Sequence, residues 1–456
     1  MATETNTTPF LDIVTDVDEI NAAVPQKGAV VSLVPKSDAI ARQMMRSGHE
    51  LPVGIYQDCT AFDMNDTGNA AEKRRRFGLP LATTAAALLS EHVPHSLAVR
   101  LMEMNVRGKY HTAAMIEAAR QYFMESSKGT LTPQRADWLK EQLNKAQDEL
   151  YPQLDTKIAD YALAMTKGET VANRLLSTEA REQWSEYLHK KLDPVFATVY
   201  EQSADGAING MQLRDMTELF AQSTGLPIGE GNDAWSIVYD ESVSSFSVNP
   251  ASKTVRVGLR HVALTQLQFE KLMIHEIMIH AWRAENGSRT GYPAFQSGLP
   301  GYVESEEGTG ILMESLWARE DPEQLSRDHF RYAVVSYASG VYDDTLHTEQ
   351  ETFEFAKQLM DDAQVKDEDE LARHVMRVYR GMPEGCRMRS NATYLAGKIG
   401  MMRHLETAYR EGASVDAVFR FLQAGKIDID NPEQVTLLRE ALAEGGMIDR
   451  EEAIHE

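Results

Sequence analysis

The segment Leu267–Trp282 constrains this chain more than any other. Its apolar residues Leu267, Phe269, Leu272, Met273, Ile274, Ile277, Met278, Ile279, Ala281 and Trp282 go all the way round a helix. The middle of such a helix must be enclosed by other elements. Thr265 with Gln268 makes a capping box ahead of it, and Asn286-Gly287 is the expected left-handed stop. Yet His275, Glu276 and His280 lie inside the apolar stretch. A buried carboxylate is costly unless it is paired, hydrogen-bonded or close to a cation. A divalent metal held by both imidazoles, with Glu276 beside it as a base acting on water, satisfies all three groups together.

The spacing sets a condition on this reading. Two histidines four residues apart stand about 40° apart round an α-helix, whereas His275 and His280, five apart, stand about 140° apart and are poorly aimed at one ion. One inserted residue is the mark of a π-turn, so a π-bulge or local unwinding is expected between them. A catalytic zinc also takes a third protein ligand. Downstream, Gly298-Leu-Pro-Gly-Tyr302 reads as a turn and Ser305 as a helix N-cap, with Glu306 and Glu307 in the first helical turn. Either carboxylate can reach a metal from there, and either can equally be a helix-start acid favoured by the dipole. Glu307 and Glu314 share a face two turns apart, so Glu314 can orient a ligand imidazole from behind.

Elsewhere the chain reads as scaffold. Residues 1–60 are expected to be a loosely packed N-terminal arm, 61–225 a helical scaffold and 226–456 the catalytic domain. In the scaffold, apolar spacing predicts helices through Leu97–Met104, Ala113–Tyr122 and Trp138–Leu150, the last started by Thr132-Pro133. Lys73-Arg-Arg-Arg76 reads as a solvated face. After Gly225, Trp235–Tyr239 is a strand, and Ser245–Val248 with Thr254–Val257 form a hairpin about Asn249-Pro250. Thr254–Val257, just before the histidine helix, is the expected edge for pairing with an extended peptide. Further helices are predicted at Glu349–Met360, Glu370–Tyr379, Val415–Gln423 and Pro432–Glu444.

The net charge of −23 repels phosphate backbones and anionic membranes, which excludes nucleic acid and membrane surfaces as ready partners. Two cysteines, Cys59 and Cys386, give no disulfide framework. Residues Met1–Pro9 lack a signal-peptide pattern and no stretch is apolar for long enough to span a bilayer. A cytoplasmic protein is expected. Against that acidic background Arg373, Arg377, Arg380, Arg387 and Arg389 crowd one span. Arginine holds a carboxylate bidentately, as a carboxypeptidase must hold its substrate's terminus. The plainer reading is a helix face balancing the acidic run 367–370.

At this point the residues resemble a known family, the microtubule-associated tyrosine carboxypeptidases and the bacterial QEGLA-motif proteins. The resemblance rests on His275-Glu276-x-x-x-His280-x-x-Arg283-x-x-Asn286-Gly287, Gly298-Leu-Pro-Gly-Tyr302 and Glu306-Glu307-Gly308. It continues through Arg377-Val-Tyr-Arg-Gly381, Tyr394-Leu395 with Gly397, and Phe421-Leu422 before Gly425-Lys426-Ile427. It covers roughly residues 235–445.

The resemblance implies a gluzincin-like site with His275, His280 and Glu307 on Zn2+ and Glu276 as general base. Tyr394, and Arg380 with Arg377, lie in the matched motifs and are the candidates for the oxyanion donor and for holding the substrate carboxylate. The family's Gln-Glu-Gly-Leu-Ala motif becomes Thr309-Gly310 at the last two positions. Its Phe-Thr-Lys-Asp segment becomes Met388-Arg389-Ser390-Asn391. The fold class expected is therefore α+β and predominantly helical: a helical N-terminal scaffold packed on a zincin-like domain with a small antiparallel sheet and an active-site helix.

The function expected is a zinc-dependent, carboxypeptidase-like metallopeptidase acting on a peptide or protein, at its C-terminus. Microtubules are not carried over, because an acidic chain is ill suited to tubulin's acidic tail. The alternatives are a zinc endopeptidase or amidase on another target, and a non-catalytic interaction protein stabilised by a metal; an intact Glu276 speaks against the last. Oligomeric state is not legible in the sequence.

Overall fold

The computed structural model describes scattered positions from 97 to 119 and most of the chain from 121 to 445. Residues 1–96, 152–156, 159–174, 203–207, 241–245, 259–262, 321–328, 341–344, 360–367, 380–382, 387–388 and 446–456, with some single positions, lie outside the described residues. The readings of the N-terminal arm, of Lys73–Arg76 and of Cys59 fall there. The chain divides into two compact units, one of residues up to Lys167 with Ser326–Ala392, the other of Gly168–Leu325 with Thr393–Glu456. No helix among the described residues is long and apolar enough to cross a membrane.

In the first unit the described positions between 97 and 126 are mostly helical. The helix Pro133–Leu150 starts as its sequence dictates, with Thr132 accepting from the Arg135 N–H and Pro at the first position. Its buried face is Leu139, Leu143, Ala146 and Leu150, a three- and four-residue spacing. Helices His329–Ala338, Glu349–Gln358 and Glu368–Tyr379 follow. Thr348 and Glu351 form a capping box ahead of the second of these.

The second unit is numbered here from its own start. Helix α1 (Thr178–Glu201) buries Ala180, Trp184, Leu188, Leu192, Phe196 and Val199, and α2 (Gly210–Ser223) buries Leu213, Met216 and Phe220. Phe196 stacks on Phe220 with ring centroids 4.8 Å apart. Strands β1 (Ser236–Tyr239), β2 (Ser247–Asn249) and β3 (Thr254–Val257) form one sheet in the order β1-β3-β2. β2 and β3 are antiparallel, with Val248 opposite Val255, and the Asn249 side chain accepts from the N–H groups of Ala251 and Ser252 to close their turn.

Two expectations are corrected by this sheet. It is mixed rather than antiparallel, because β1 runs parallel to β3 with Ile237 opposite Val255. β3 is the middle strand, hydrogen-bonded on both sides, so Thr254–Val257 has no edge left for a peptide.

A continuous rod follows: α3 (Gln266–Met273), a π-helical segment (Ile274–Ala281) and α4 (Trp282–Arg289). The capping box at Thr265 and Gln268 is formed, and Phe269, Met273, Ile274, Ile277, Met278, Ile279, Ala281 and Ala284 are buried. Leu267 is not part of this core; it is 47% exposed.

The stop also differs from expectation. Gly287 lies within α4, where a Cβ would meet the Phe295 carbonyl oxygen at 2.3 Å, and Asn286 donates to the Gln423 carbonyl. The rod ends instead at Gly291, whose φ of 80° is the left-handed turn. Helices α5 (Pro293–Ser297), α6 (Tyr302–Trp317), α7 (Arg389–Arg410, in this unit from Thr393), α8 (Val415–Leu422) and α9 (Pro432–Glu444) complete the unit.

Candidate metal centre

His275 and His280 lie on the π segment, and the segment is what aims them. A π-turn closes on i→i+5 hydrogen bonds, so residues five apart share a face, as residues four apart do in an α-helix. The two rings stand with centroids 4.7 Å apart.

Helix α6 packs against this segment and supplies the carboxylates. It starts at Tyr302 after Gly301, whose φ is 83°, and not at Ser305 as expected. Ser305 instead donates to Asp428 and accepts from the Ile429 N–H. Glu306 and Glu307 are therefore in the second turn, placed by packing rather than by capping. Two glycines make that packing close. A Cβ on Gly308 would stand 2.1 Å from the Gly397 carbonyl carbon, and one on Gly397 1.9 Å from the Glu304 carbonyl oxygen. Helices α6 and α7 thus cross backbone to backbone, one residue after Glu307.

The resulting geometry is compact. Glu307 Oε2 is 3.4 Å from His275 Nε2 and 3.9 Å from His280 Nε2. One donor atom from each of His275, His280 and Glu307 lies within 4.8 Å of the others. Two donors about 2.1 Å from a tetrahedral ion stand about 3.4 Å apart, so the set fits a zinc-sized ion with small adjustments. Gly310, the departure from the motif's Ala, has a specific place in this: a Cβ there would stand 2.7 Å from the His275 ring. Its smallness makes room for the imidazole in mid-helix.

Each imidazole has a carboxylate behind it. His275 Nδ1 is 2.5 Å from Glu314 Oε1, and His280 Nδ1 is 3.2 Å from Glu306 Oε1. Lysines then face those carboxylates. Lys426 Nζ donates to Glu306 Oε1, and Lys271 Nζ stands 3.9 Å from Glu314 Oε2 and 2.6 Å from Glu320. Burial opposes the charged form of Glu306, but Lys426, His280 and Arg283 hold its carboxyl far below the usual range. Burial likewise pushes the His275 imidazolium down. The bonds with Glu307 and Glu314 and the charge of Glu276 outweigh that and raise its pKa well above the ordinary value.

Glu276 is half-buried in the π-turn, and among the described residues no hydrogen bond occupies its carboxylate. Tyr394 is 39% exposed on α7, one turn before the Gly397 crossing. Arg377 stands in the helix Glu368–Tyr379 of the other unit with its side chain outside the described residues, and Arg380 lies outside them altogether. Sequence reasoning gave no role to Lys426 and none behind His280 to Glu306. Lys426 stands 120 residues from Glu306 in the chain, too far for any local signal to link the two.

Residues 230–450 match the family model described as microtubule-associated tyrosine carboxypeptidase. The resemblance read from the motifs is thereby shown over that segment, which takes in the π segment and α6 through α9. No curated protein and no solved structure matches the chain. In the terms of the carboxypeptidase family, Glu306 stands where the motif has Gln and Glu307 where it has its Glu.

Proposed function

We propose that the second unit carries a zinc-dependent peptidase site of the carboxypeptidase type. The observation that carries it is the convergence of His275, His280 and Glu307 within 4.8 Å, with a carboxylate behind each imidazole. The family's description supports a peptidase and names a C-terminal tyrosine of a protein as the substrate class with which to begin.

In this reading His275 Nε2, His280 Nε2 and Glu307 Oε2 hold the ion, and Glu314 and Glu306 fix the imidazoles through their Nδ1 atoms. Zinc would polarise the scissile carbonyl and make water more acidic. Glu276 takes the proton from the attacking water and passes it to the leaving amine, a task that suits a carboxylate with no competing hydrogen bond. Tyr394 is the candidate donor to the oxyanion. Since β3 is paired on both sides, an extended substrate would pair with β2, the edge strand that packs against the π segment.

The test joins metal analysis to Glu276→Gln. Wild type and variant should each hold about one zinc per chain, the number one three-ligand site binds. Only the wild type should release C-terminal residues from a peptide library. A wild type purified without chelators that contains no zinc would end this reading.

A further inference from the structure

We propose that Glu306 and Lys426 are positioning residues whose buried ion pair locks the His280 imidazole with Nε2 toward the metal; the inference rests on the site reading above. Glu306 is 4% exposed and Lys426 3%. A buried ion pair is a poor source of stability, because desolvating two charges offsets most of their attraction and an apolar pair of similar size serves as well. Its presence here calls for a reason, and its third partner supplies one. Glu306 Oε1 takes the Lys426 ammonium and faces His280 Nδ1 at 3.2 Å. With the proton on Nδ1 pointing to that oxygen, the lone pair of His280 is left on Nε2, the atom 3.9 Å from Glu307.

The ammonium is delivered by a fixed segment. The Lys426 N–H donates to the Phe295 carbonyl at 2.8 Å, and its carbonyl accepts from the Leu299 N–H at 3.0 Å. Arg283, itself buried, donates from Nε to the Gly425 carbonyl and from Nη2 to the Ile427 carbonyl, both at 3.0 Å. Both carbonyls beside Lys426 are thus clamped by a residue one turn beyond His280. Lys426 also occupies Glu306, which lies next to the proposed ligand Glu307 and would otherwise be a rival for the metal.

The arrangement behind His275 is looser: Lys271 and Glu314 are about a quarter exposed, 3.9 Å apart, and Lys271 is shared with Glu320. The two imidazoles are therefore held unequally, His280 by a rigid buried pair and His275 by an adjustable one.

The experiment uses the full chain loaded with zinc, chelator competition for affinity, and the visible spectrum of the cobalt-substituted protein for ligand geometry. Glu306→Ala and Lys426→Met should each weaken zinc binding by about 10- to 100-fold and alter the cobalt spectrum. Glu306→Gln combined with Lys426→Met keeps an acceptor for Nδ1–H without an unpaired cation, and should recover wild-type affinity and spectrum.

If the single variants fail to fold, a neutral comparison decides. Glu306→Gln with Lys426→Met should hold zinc more tightly than Glu306→Leu with Lys426→Met. Equal affinity across these forms, with superimposable spectra, would overturn the positioning role while leaving the metal site standing. A wild type that takes up no metal would overturn both.

Discussion

The crossing of α6 and α7 offers the sharpest test of how the site is built. In Gly308→Ala the new Cβ would stand 2.1 Å from the Gly397 carbonyl carbon, and ordinary contact begins at 3.4 Å. The helices must therefore separate by the difference, 1.3 Å, since the obstacle is backbone and no rotamer change relieves it. Alanine improves the helix by about 1 kcal/mol, against an overpacking cost of typically 1–3 kcal/mol. With backbone as the obstacle the upper end applies, and a net loss of about 2 kcal/mol is expected.

For a unit of this size that lowers the melting temperature by about 4–8 °C. The effect on the site is larger than the effect on stability. Glu307 is the adjoining residue, and a functional constellation tolerates displacements of about 0.5 Å. Zinc affinity should therefore fall by at least about tenfold, as when a supporting group of a metal site is lost. Calorimetry and chelator competition on the same samples separate the two effects. A Gly308→Ala protein with wild-type melting and wild-type zinc affinity would refute the close crossing and the placement of Glu307 derived from it.

Gly310→Ala should show the opposite balance: little change in stability, because the helix gains what the ring loses, but weaker zinc binding as the Cβ pushes the His275 ring from its place. Unaltered affinity would mean that the ring has room. A pH effect is expected away from the site. Burial raises the pKa of Glu285, but Lys253 and Trp235 bond it and, with Arg289, bring it below its ordinary 4.5. Its contribution to stability is thus present above pH 4.5 and lost as the pH falls through the lower folded value. In urea titrations the advantage of wild type over Glu285→Gln should shrink on acidification, and a difference constant with pH would contradict the assignment. Zinc at about a hundred times its dissociation constant should stabilise the protein by about 2.7 kcal/mol, and a chelator should reverse it. A melting temperature indifferent to both would count against the metal site.

Local signals carried much of this protein. Thr265 and Gln268 announced a helix start that is formed, Asn249-Pro250 announced a turn between strands, and the five-residue step from His275 to His280 required the π segment that is present. Each depends on neighbours in sequence, which steric and hydrogen-bonding rules read directly. Other features were decided by residues far apart in the chain. Glu306 and Glu307 are about 100° apart on α6, and which of them faces the shared space between the imidazoles depends on where α6 meets the rod. That meeting is set by Gly308 against Gly397, and the partner of Glu306 is a lysine held by Arg283, Phe295 and Leu299. The central place of β3 likewise came from β1 joining it in parallel, a pairing no hairpin signal encodes. Periodicity tells a residue which face it is on; only packing tells that face what it meets.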